Sequence, residues 1–179
     1  MEAFLIQEYI RNIPDFPKPG INFKDITPLL ADGAAMNRTL LKIANHYCDL
    51  EFDLVCGAES RGFIFGVGVG MLLGKGFIPV RKKGKLPYET FSESYGLEYG
   101  SDTLEIHRDA IKPGQKVLVI DDLLATGGTC EATLSLVRQC GAEVVGCAFV
   151  IELEFLKGRE RLEPHCPVFS LIQYDSESV

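Results

Sequence analysis

Two adjacent aspartates and a loop of small residues follow a predicted buried strand. Residues 117–120 are Val-Leu-Val-Ile, an apolar run typical of a strand that is covered on both faces. Asp121 and Asp122 stand where this strand is expected to end, and the loop 125–129 then opens an apolar helical stretch. Free amides at a helix N-terminus favour a phosphate through hydrogen bonds and the helix dipole. Because carboxylates suit hydroxyl groups or a hydrated metal ion, the sequence predicts a sugar-phosphate site.

Each part of this pattern also has a purely structural interpretation. A pair of Asp residues at a strand end is commonly turn or capping chemistry, and a Thr-Gly-Gly-Thr loop is commonly a tight turn. The order of strand, two acids and small-residue loop favours binding over those interpretations. The loop residues that would hold the phosphate are Ala125, Thr126, Gly127, Gly128 and Thr129.

A second strand-to-helix junction follows residues 53–56, which are predicted to form a short strand. Ser60 and Arg61 stand in its loop, just before a helix predicted over residues 61–73. The loop amides could hold a second phosphate, and Arg61 would add a planar charged fork. A capped helix start is the structural alternative. Phosphate binding is favoured here only because this junction is similar to the first one and is expected to lie beside it.

A dense cationic cluster opens a long segment without clear periodicity. Arg81, Lys82 and Lys85 belong to four cations within residues 81–85. Such a run is usually a solvated surface, but here it lies in an acidic protein and favours a phosphate-rich substrate. Irregular segments of this length are usually either functional lids or disordered, and the cationic start of residues 81–100 favours a lid over the site. Glu98 stands near the end of this lid and could act as an acid or base.

Composition narrows the classes of protein that fit. A chain of 179 residues fits one domain, and its net charge of −7 argues against broad nucleic-acid binding. The six cysteines form no C-x-x-C pair, and no signal peptide or membrane span is recognisable, so a cytoplasmic protein with reduced thiols is expected.

Helical and strand patterns alternate along the chain, which predicts an α/β fold with a mainly parallel sheet. In such sheets ligands bind outside the carboxyl ends of the strands. Helices are predicted over residues 3–13, 33–50, 61–73, 127–140 and 157–162. Strands are predicted over residues 53–56, 77–80, 103–107, 116–121, 144–153 and 168–172.

Residues 117–129 resemble the diphosphate-sugar signature of the type I phosphoribosyltransferases, and the Asp-Asp-Leu-Leu-Ala-Thr-Gly-Gly-Thr run resembles their adenine-specific branch. Further matches to that branch occur, in order, at residues 15–17, 19–20, 23 with 25–26, 59–63, 81–82, 84–87, 97–100 and 156–159. The resemblance implies one domain over residues 1–179: a central, mainly parallel twisted sheet flanked by helices. An N-terminal segment (residues 1–35, the hood) would cover the base, and the core would span residues 36–179.

The resemblance also implies an activity and its residues. The reaction would be transfer of 5-phosphoribose from 5-phospho-α-D-ribose 1-diphosphate (PRPP) to adenine with Mg²⁺, giving AMP and pyrophosphate. The 5-phosphate would lie on residues 125–129 and the ribose on Asp121 and Asp122, with the metal held mainly by substrate and water. Pyrophosphate would contact Ser60, Arg61, Arg81, Lys82 and Lys85, some from a partner subunit in a homodimer. Adenine would stack on Phe23, be read by the backbone of Asn22 and Lys24, and exchange a proton with Glu98.

Two rival functions are compatible with parts of this pattern. A related transferase could take a 6-oxopurine or a pyrimidine, although the hood around Phe23 argues against it. A non-catalytic regulator that senses PRPP is expected to carry a DNA-binding module and to lose lid residues. This chain retains Glu98, and 179 residues leave little room for such a module.

Overall fold

The computed structural model of the protein describes residues 5–96 and 101–176. Glu98, the predicted catalytic acid or base, lies outside the described residues. The helices are α1 Thr27–Ala31, α2 Gly33–Tyr47, α3 Arg61–Leu73, α4 Gly128–Gln139 and α5 Gly158–Leu162, with 3₁₀ turns at Ile6–Tyr9 and Glu154–Leu156. The strands are β1 Arg11–Ile13, β2 Phe23–Asp25, β3 Leu54–Ala58, β4 Gly76–Lys82, β5 Thr90–Gly96, β6 Ser101–His107, β7 Lys116–Leu124, β8 Glu143–Leu153 and β9 Val168–Tyr174.

Seven strands form one sheet in the order β5-β6-β4-β3-β7-β8-β9. The run from β4 to β9 is parallel, whereas β6 and β5 are antiparallel to their neighbours. From β3 the chain proceeds through α3 to β4 on one side, and from β7 it proceeds through α4 to β8 on the other. The strand order therefore reverses between β3 and β7, which is where open α/β sheets bind ligands. The predicted α/β, mainly parallel fold is confirmed.

Helices cover both faces of the central strand β7, as its continuous apolar run predicted. Val117 and Val119 pack in the cluster on the α4 side, whereas Leu118 and Ile120 pack in the cluster that contains residues of α2 and α3. All four are buried. Because successive side chains of a strand point to opposite faces, burial on both faces requires an apolar residue at every position.

The hood differs from its prediction. Residues 3–13 were expected to form a helix, but the described part contains a single 3₁₀ turn followed by β1, which pairs antiparallel with β2. A helix of that length is marginal in water without tertiary support. Pro14 favours an extended conformation at Ile13, and pairing with Phe23 satisfies that extended backbone. The segment around Phe23, for which neither helix nor strand was predicted, is therefore a strand.

The described part of the lid is more regular than expected. Strand β4 continues to Lys82, and β5 covers residues 90–96 in full register with β6. Phe91, Glu93 and Tyr95 alternate with more exposed neighbours along β5, so the strand has one face packed and one open. The sequence did not predict this alternation because Ser92, Glu93 and Ser94, three consecutive polar residues, occupy the middle of the strand.

Other boundaries shift by a few residues, and α3 occupies the predicted residues 61–73. Helix α2 begins at the predicted Gly33, where Asp32 caps the amides of Ala34 and Ala35, but ends at Tyr47. Strand β7 runs on to Leu124, so Asp121 and Asp122 belong to the strand rather than follow it. Within residues 5–96 and 101–176, no helix has the length and apolar character required to span a bilayer.

Candidate active site

The carboxyl ends of β3 and β7 border one cavity of about 240 Å³. Its walls come from both strand-to-helix junctions that the sequence singled out. The first junction contributes Glu59, Ser60 and Arg61, and the second contributes residues 121–130. The predicted phosphate loop, the two aspartates and the first two pyrophosphate candidates are thus brought together. Their adjacency follows from the parallel pairing of β3 with β7, which sets both loops at the same edge.

The loop of residues 125–129 presents the N-terminus of α4 to this cavity. Gly127 is the N-cap and has φ of +82°, a left-handed conformation that glycine adopts without a steric penalty. No side chain caps the helix, and the first intrahelical bond runs from the Glu131 amide to the Gly127 carbonyl at 2.9 Å. The amides of Gly128 and Thr129 therefore remain available for an anion at the positive end of the helix dipole.

The phosphate loop is supported from behind by Gly158, the first residue of α5. A Cβ atom at this position would overlap the Ala125 carbonyl oxygen and would lie 2.8 Å from Cδ1 of Leu124. Conversely, a Cβ atom at Gly127 would lie 3.0 Å from the Gly158 carbonyl oxygen. The two glycines thus allow the two backbones to pack at contact distance. Sequence reasoning matched Gly158 to a family motif without giving it this role.

Asp122 is buried at the cavity wall and faces Arg61. Nε of Arg61 lies 3.0 Å from Oδ2 of Asp122, yet within the described part of the chain this oxygen accepts no hydrogen bond. Burial raises the pKa of the Asp122 carboxyl, and the positive charge of Arg61 partly offsets that rise. An acceptor that is buried without a donor is costly, so a ligand that donates to it would recover that free energy.

Asp121 is tied to the same place by its backbone neighbour. Its Oδ1 accepts the Asp122 amide at 2.9 Å, and a Cβ atom at Gly62 would lie 2.9 Å from this oxygen. Glycine at the start of α3 therefore lets that helix approach the strand closely. Burial, followed by the negative charge of Asp122, raises the pKa of Asp121 well above its ordinary value. The aspartates form a coupled pair that an added cation or hydroxyl donor would stabilise in the charged state.

The remaining pyrophosphate candidates lie outside the cavity wall, and Arg81 and Lys82 form ion pairs with other side chains. Arg81 donates through Nε to Oε2 of Glu59 at 2.8 Å, and the same oxygen accepts the Lys82 amide at 2.8 Å. Burial alone would raise the pKa of Glu59, but these two donors lower it. The ammonium of Lys82 lies 3.1 Å from Asp102, and Lys85 is exposed. Glu59 lines the cavity, so Arg81 is connected to the cavity wall through the Glu59 side chain.

A second, mainly apolar cavity of about 380 Å³ adjoins the first, and Thr126 lines both. Its wall includes Asn22 from the hood, together with residues from the end of β8 and the turn that follows. The full lining is Ile21, Asn22, Gly96, Thr126, Leu153, Phe155, Leu156 and Arg161. Sequence reasoning assigned no site role to Leu153, Phe155, Leu156 or Arg161. One feature of the sequence could have indicated these residues. Leu153 ends β8, which is parallel to β7, so it lies at the same edge of the sheet as the loops that follow β3 and β7.

Phe23 and Lys24 differ in burial: the Phe23 side chain is half-buried, whereas the Lys24 side chain is buried. The Phe23 ring packs edge-on against Phe16 at 5.2 Å between centroids, and the guanidinium carbon of Arg61 lies 5.6 Å from the Phe23 centroid. Lys24 is buried: its ammonium donates to Oδ1 of Asn12 at 2.7 Å and lies 4.2 Å from the centre of the Tyr174 ring. Burial lowers the pKa of Lys24. Its side chain is therefore engaged in anchoring the hood to β9.

The donor set fits a magnesium ion only in part. Residues 5–96 and 101–176 contain no group of three or more His, Cys, Asp or Glu side chains that could hold a metal ion. The buried Oδ2 of Asp122 and the adjacent Asp121 carboxyl are oxygen ligands of the kind that hydrated Mg²⁺ accepts. An ion here would need further oxygen ligands from the substrate or water.

Comparisons with known proteins give a consistent result. The family model described as phosphoribosyl transferase domain matches residues 25–177. An adenine phosphoribosyltransferase of Clostridium beijerinckii is 58% identical over 170 residues, covering 95% of this chain and 98% of the relative. The crystal structure of adenine phosphoribosyltransferase from Thermoanaerobacter pseudethanolicus superposes with a TM-score of 0.91 at 51% identity, covering 94% and 98% of the chains. That of Saccharomyces cerevisiae, complexed with an imino-altritol bisphosphate and adenine, gives 0.86 at 40% identity, covering 93% and 96%.

Proposed function

The chain belongs to the phosphoribosyltransferase family, and from this premise we propose that it transfers 5-phosphoribose from PRPP to adenine, forming AMP and pyrophosphate in purine salvage. The observation that carries this proposal is the pair of cavities that meet at Thr126. One cavity has a helix N-terminus and two carboxylates, which suit a sugar phosphate. The other is mainly apolar and suits a flat base. Their shared wall would bring C1 of the sugar and a ring nitrogen of the base within reacting distance.

In this proposal the 5-phosphate binds the amides of residues 125–129 and the side chains of Thr126 and Thr129. The ribose hydroxyls donate to Asp121 and Asp122, of which Asp122 offers a buried oxygen that accepts no hydrogen bond within the described residues. Arg61, already 3.0 Å from that oxygen, stands between the ribose and the pyrophosphate. Ser60 supplies the hydroxyl and backbone of the pyrophosphate loop.

The chemistry follows from the charge that develops when the bond from C1 to pyrophosphate breaks. The sugar becomes cationic and the leaving group carries concentrated negative charge, so fixed positive groups lower the barrier. Arg61 would take this role, and Arg81, Lys82 and Lys85 would add charge after rearrangement or from a partner subunit. When bound, Mg²⁺ would neutralise part of the diphosphate charge. Exclusion of water by the lid would favour transfer to the base over hydrolysis.

Adenine would occupy the apolar cavity beside Thr126. Phe23 would stack on the base, and Leu153, Phe155 and Leu156 would form the opposite apolar wall. The backbone of Asn22 and Lys24 would read the base edge, which is compatible with the Lys24 side chain being engaged elsewhere. Glu98 would move the proton of a purine ring nitrogen. The role of Asn22 is supported by its place in the cavity wall, and those of Phe23, Lys24 and Glu98 are supported by the family resemblance.

We also propose that the protein is a homodimer that acts in the cytoplasm. Helix α3 leaves Ile64, Val67 and Met71 exposed on one stripe, and the exposed fraction of Met71 is 78%. A stripe of this kind is typical of an interface. Because α3 begins at Arg61, a partner on this face would lie near the pyrophosphate loop. All six cysteines are free, which supports a reducing compartment. Sedimentation of wild type and Met71→Glu would test the dimer, since the charge should shift the protein towards monomer.

The function is tested by incubating the pure protein with labelled adenine, PRPP and Mg²⁺ and separating the nucleotide products. We expect labelled AMP and stoichiometric pyrophosphate. Hypoxanthine, guanine and uracil, added as competitors in excess, should leave the yield of AMP nearly unchanged. Preferred use of one of those bases would favour the rival transferase. Tight binding of PRPP without any turnover would favour the regulator.

A further inference from the structure

Strand β5 is joined to helix α4 through a single carboxylate. Oε2 of Glu93 accepts a hydrogen bond from the Ser135 hydroxyl at 2.6 Å and another from the Gln139 amide at 2.8 Å. The Gln139 amide also lies 3.4 Å from the Ser135 hydroxyl, so the three side chains form a closed cluster. We call Glu93, Ser135 and Gln139 the clamp. Sequence reasoning gave none of these residues a role.

The clamp sits at one end of a contact that reaches the phosphate loop at the other. Gly128, Ala132, Ser135 and Gln139 are spaced by four, three and four residues, so they form one stripe along α4. At the start of that stripe, a Cβ atom at Gly128 would lie 3.5 Å from Cδ2 of Tyr95 and 3.6 Å from the Gly96 carbonyl oxygen. Strand β5 therefore runs antiparallel along the helix, pinned by Glu93 and ending over Gly128.

We propose that Glu93 is a positioning residue for PRPP, which acts by fixing Tyr95 and Gly96 against the N-terminal end of α4. This inference rests on the proposed function. Gly128 belongs to the phosphate loop that lines the first cavity, and Gly96 lines the apolar cavity, so the end of β5 contacts the phosphate loop and forms part of the wall of the second subsite. Phe91 and Tyr95 pack on the core from the same face of β5. Apolar contacts of this kind tolerate sliding, whereas a carboxylate with two donors selects one register along the helix.

A purely structural anchor would give a different result from a positioning residue. Loss of an anchor lowers the amount of folded enzyme and leaves the KM values of the remaining molecules unchanged. Loss of positioning raises the KM for PRPP in molecules that are folded. Glu93→Ala removes both hydrogen bonds, and Glu93→Gln retains an oxygen acceptor of the same reach. Ser94→Ala is the matched control, because the Ser94 hydroxyl bonds Thr103 on β6 at 2.9 Å rather than α4.

The experiment measures KM for PRPP, kcat and the unfolding midpoint for wild type and the three variants. We expect Glu93→Ala to raise the KM for PRPP roughly tenfold, as loss of hydrogen bonds to a charged group does. Glu93→Gln should recover most of that change, and Ser94→Ala should resemble wild type. Amide hydrogen exchange of Tyr95 and Gly96 should accelerate in Glu93→Ala alone.

An active wild type together with a Glu93→Ala enzyme of unchanged KM and unchanged exchange at Tyr95 would overturn the inference. If the Glu93→Ala enzyme unfolds at a lower temperature but keeps the wild-type KM for PRPP, Glu93 is only a structural anchor and the inference is wrong. An inactive wild type would instead refute the proposed function, and the positioning role would fall with it.

Discussion

Arg61 and Asp122 stand on different strand-to-helix junctions, and their side chains approach to 3.0 Å inside the cavity. The same guanidinium lies 5.6 Å from the centre of the Phe23 ring in the hood. One cation therefore contacts the proposed ribose and base subsites while standing in the proposed pyrophosphate loop. Asp122 holds this cation in place, so its charge should affect both the binding of ribose and the departure of pyrophosphate.

Asp122→Asn should lower kcat/KM for PRPP about 10- to 100-fold, because a charged hydrogen-bond acceptor and the partner of Arg61 are lost together. The fold should be retained, since Asn has the same shape. Steady-state kinetics with PRPP as the varied substrate measure the effect. Asp109→Asn, an exposed aspartate on a turn, is the control. Undiminished kcat/KM in Asp122→Asn would contradict the role.

Asp121→Asn should stabilise the protein at neutral pH while impairing turnover. Burial and the charge of Asp122 raise the pKa of Asp121, so the folded state binds its proton more tightly than the unfolded chain does. The free energy of unfolding therefore falls as the pH rises from the ordinary Asp pKa of about 4 towards the raised value. Asn does not titrate and avoids this loss.

The advantage of Asp121→Asn over wild type should be small near pH 4 and should grow towards pH 8. The advantage should appear as a Tm of Asp121→Asn that exceeds the wild-type Tm by an increasing margin as the pH rises. Thermal unfolding of both proteins across this pH range measures it. If the Tm difference between Asp121→Asn and wild type is the same at every pH, the charge of Asp121 does not destabilise the folded state.

The parts of the site that sequence predicted are those encoded by local signals. The apolar run before Asp121 and the small residues after it lie within a dozen positions, so strand, acids and helix start could be predicted together. Helix α3 was predicted with its observed bounds because Arg61 and Gly74 bracket an apolar segment; Gly74 has φ of +65° and ends the helix.

The parts that were missed depend on residues far apart in the chain. The hood hairpin forms because Ile13 pairs with Phe23, and β5 forms because it pairs with β6 and packs on α4. The apolar cavity combines Asn22 with Leu153, about 130 positions later. The hydrophobic periodicity of a single segment cannot predict such contacts, because they depend on the order of the strands in the sheet.

Gly158→Ala should disturb the phosphate loop specifically. The new methyl group would overlap the Ala125 carbonyl and crowd Leu124, so either α5 or the loop must move. Overpacking of this kind costs about 1–3 kcal/mol of unfolding free energy, and we expect the KM for PRPP to rise by roughly tenfold. Denaturant unfolding and PRPP kinetics measure the two effects.

Gly33→Ala is the matched control for Gly158→Ala, since an added Cβ there meets no atom within 4 Å. It should leave both the stability and the KM for PRPP close to those of wild type. Equal behaviour of the two variants would mean that the loop absorbs the methyl group without displacement.

Glu98→Gln should reduce kcat by about 100-fold or more while changing the KM for PRPP little, because general acid–base catalysis contributes that order to rate. The variant keeps the size of the side chain and removes its proton-accepting charge. Presteady-state mixing with saturating substrates measures the chemical step. Full activity of Glu98→Gln would exclude Glu98 as the proton-transfer group.

Phe23→Ala should raise the KM for adenine and spare the KM for PRPP. Stacking of a base on an aromatic ring contributes about 1–3 kcal/mol, so we expect an increase of about 5- to 140-fold in the KM for adenine. Phe23 lies in a strand that pairs with β1, so loss of the ring leaves its backbone hydrogen bonds in place. Phe16→Ala removes only the edge-on partner of Phe23 and should have a smaller effect. Equal increases in the KM for both substrates after Phe23→Ala would indicate that the hood as a whole had moved, and that the ring does not bind the base.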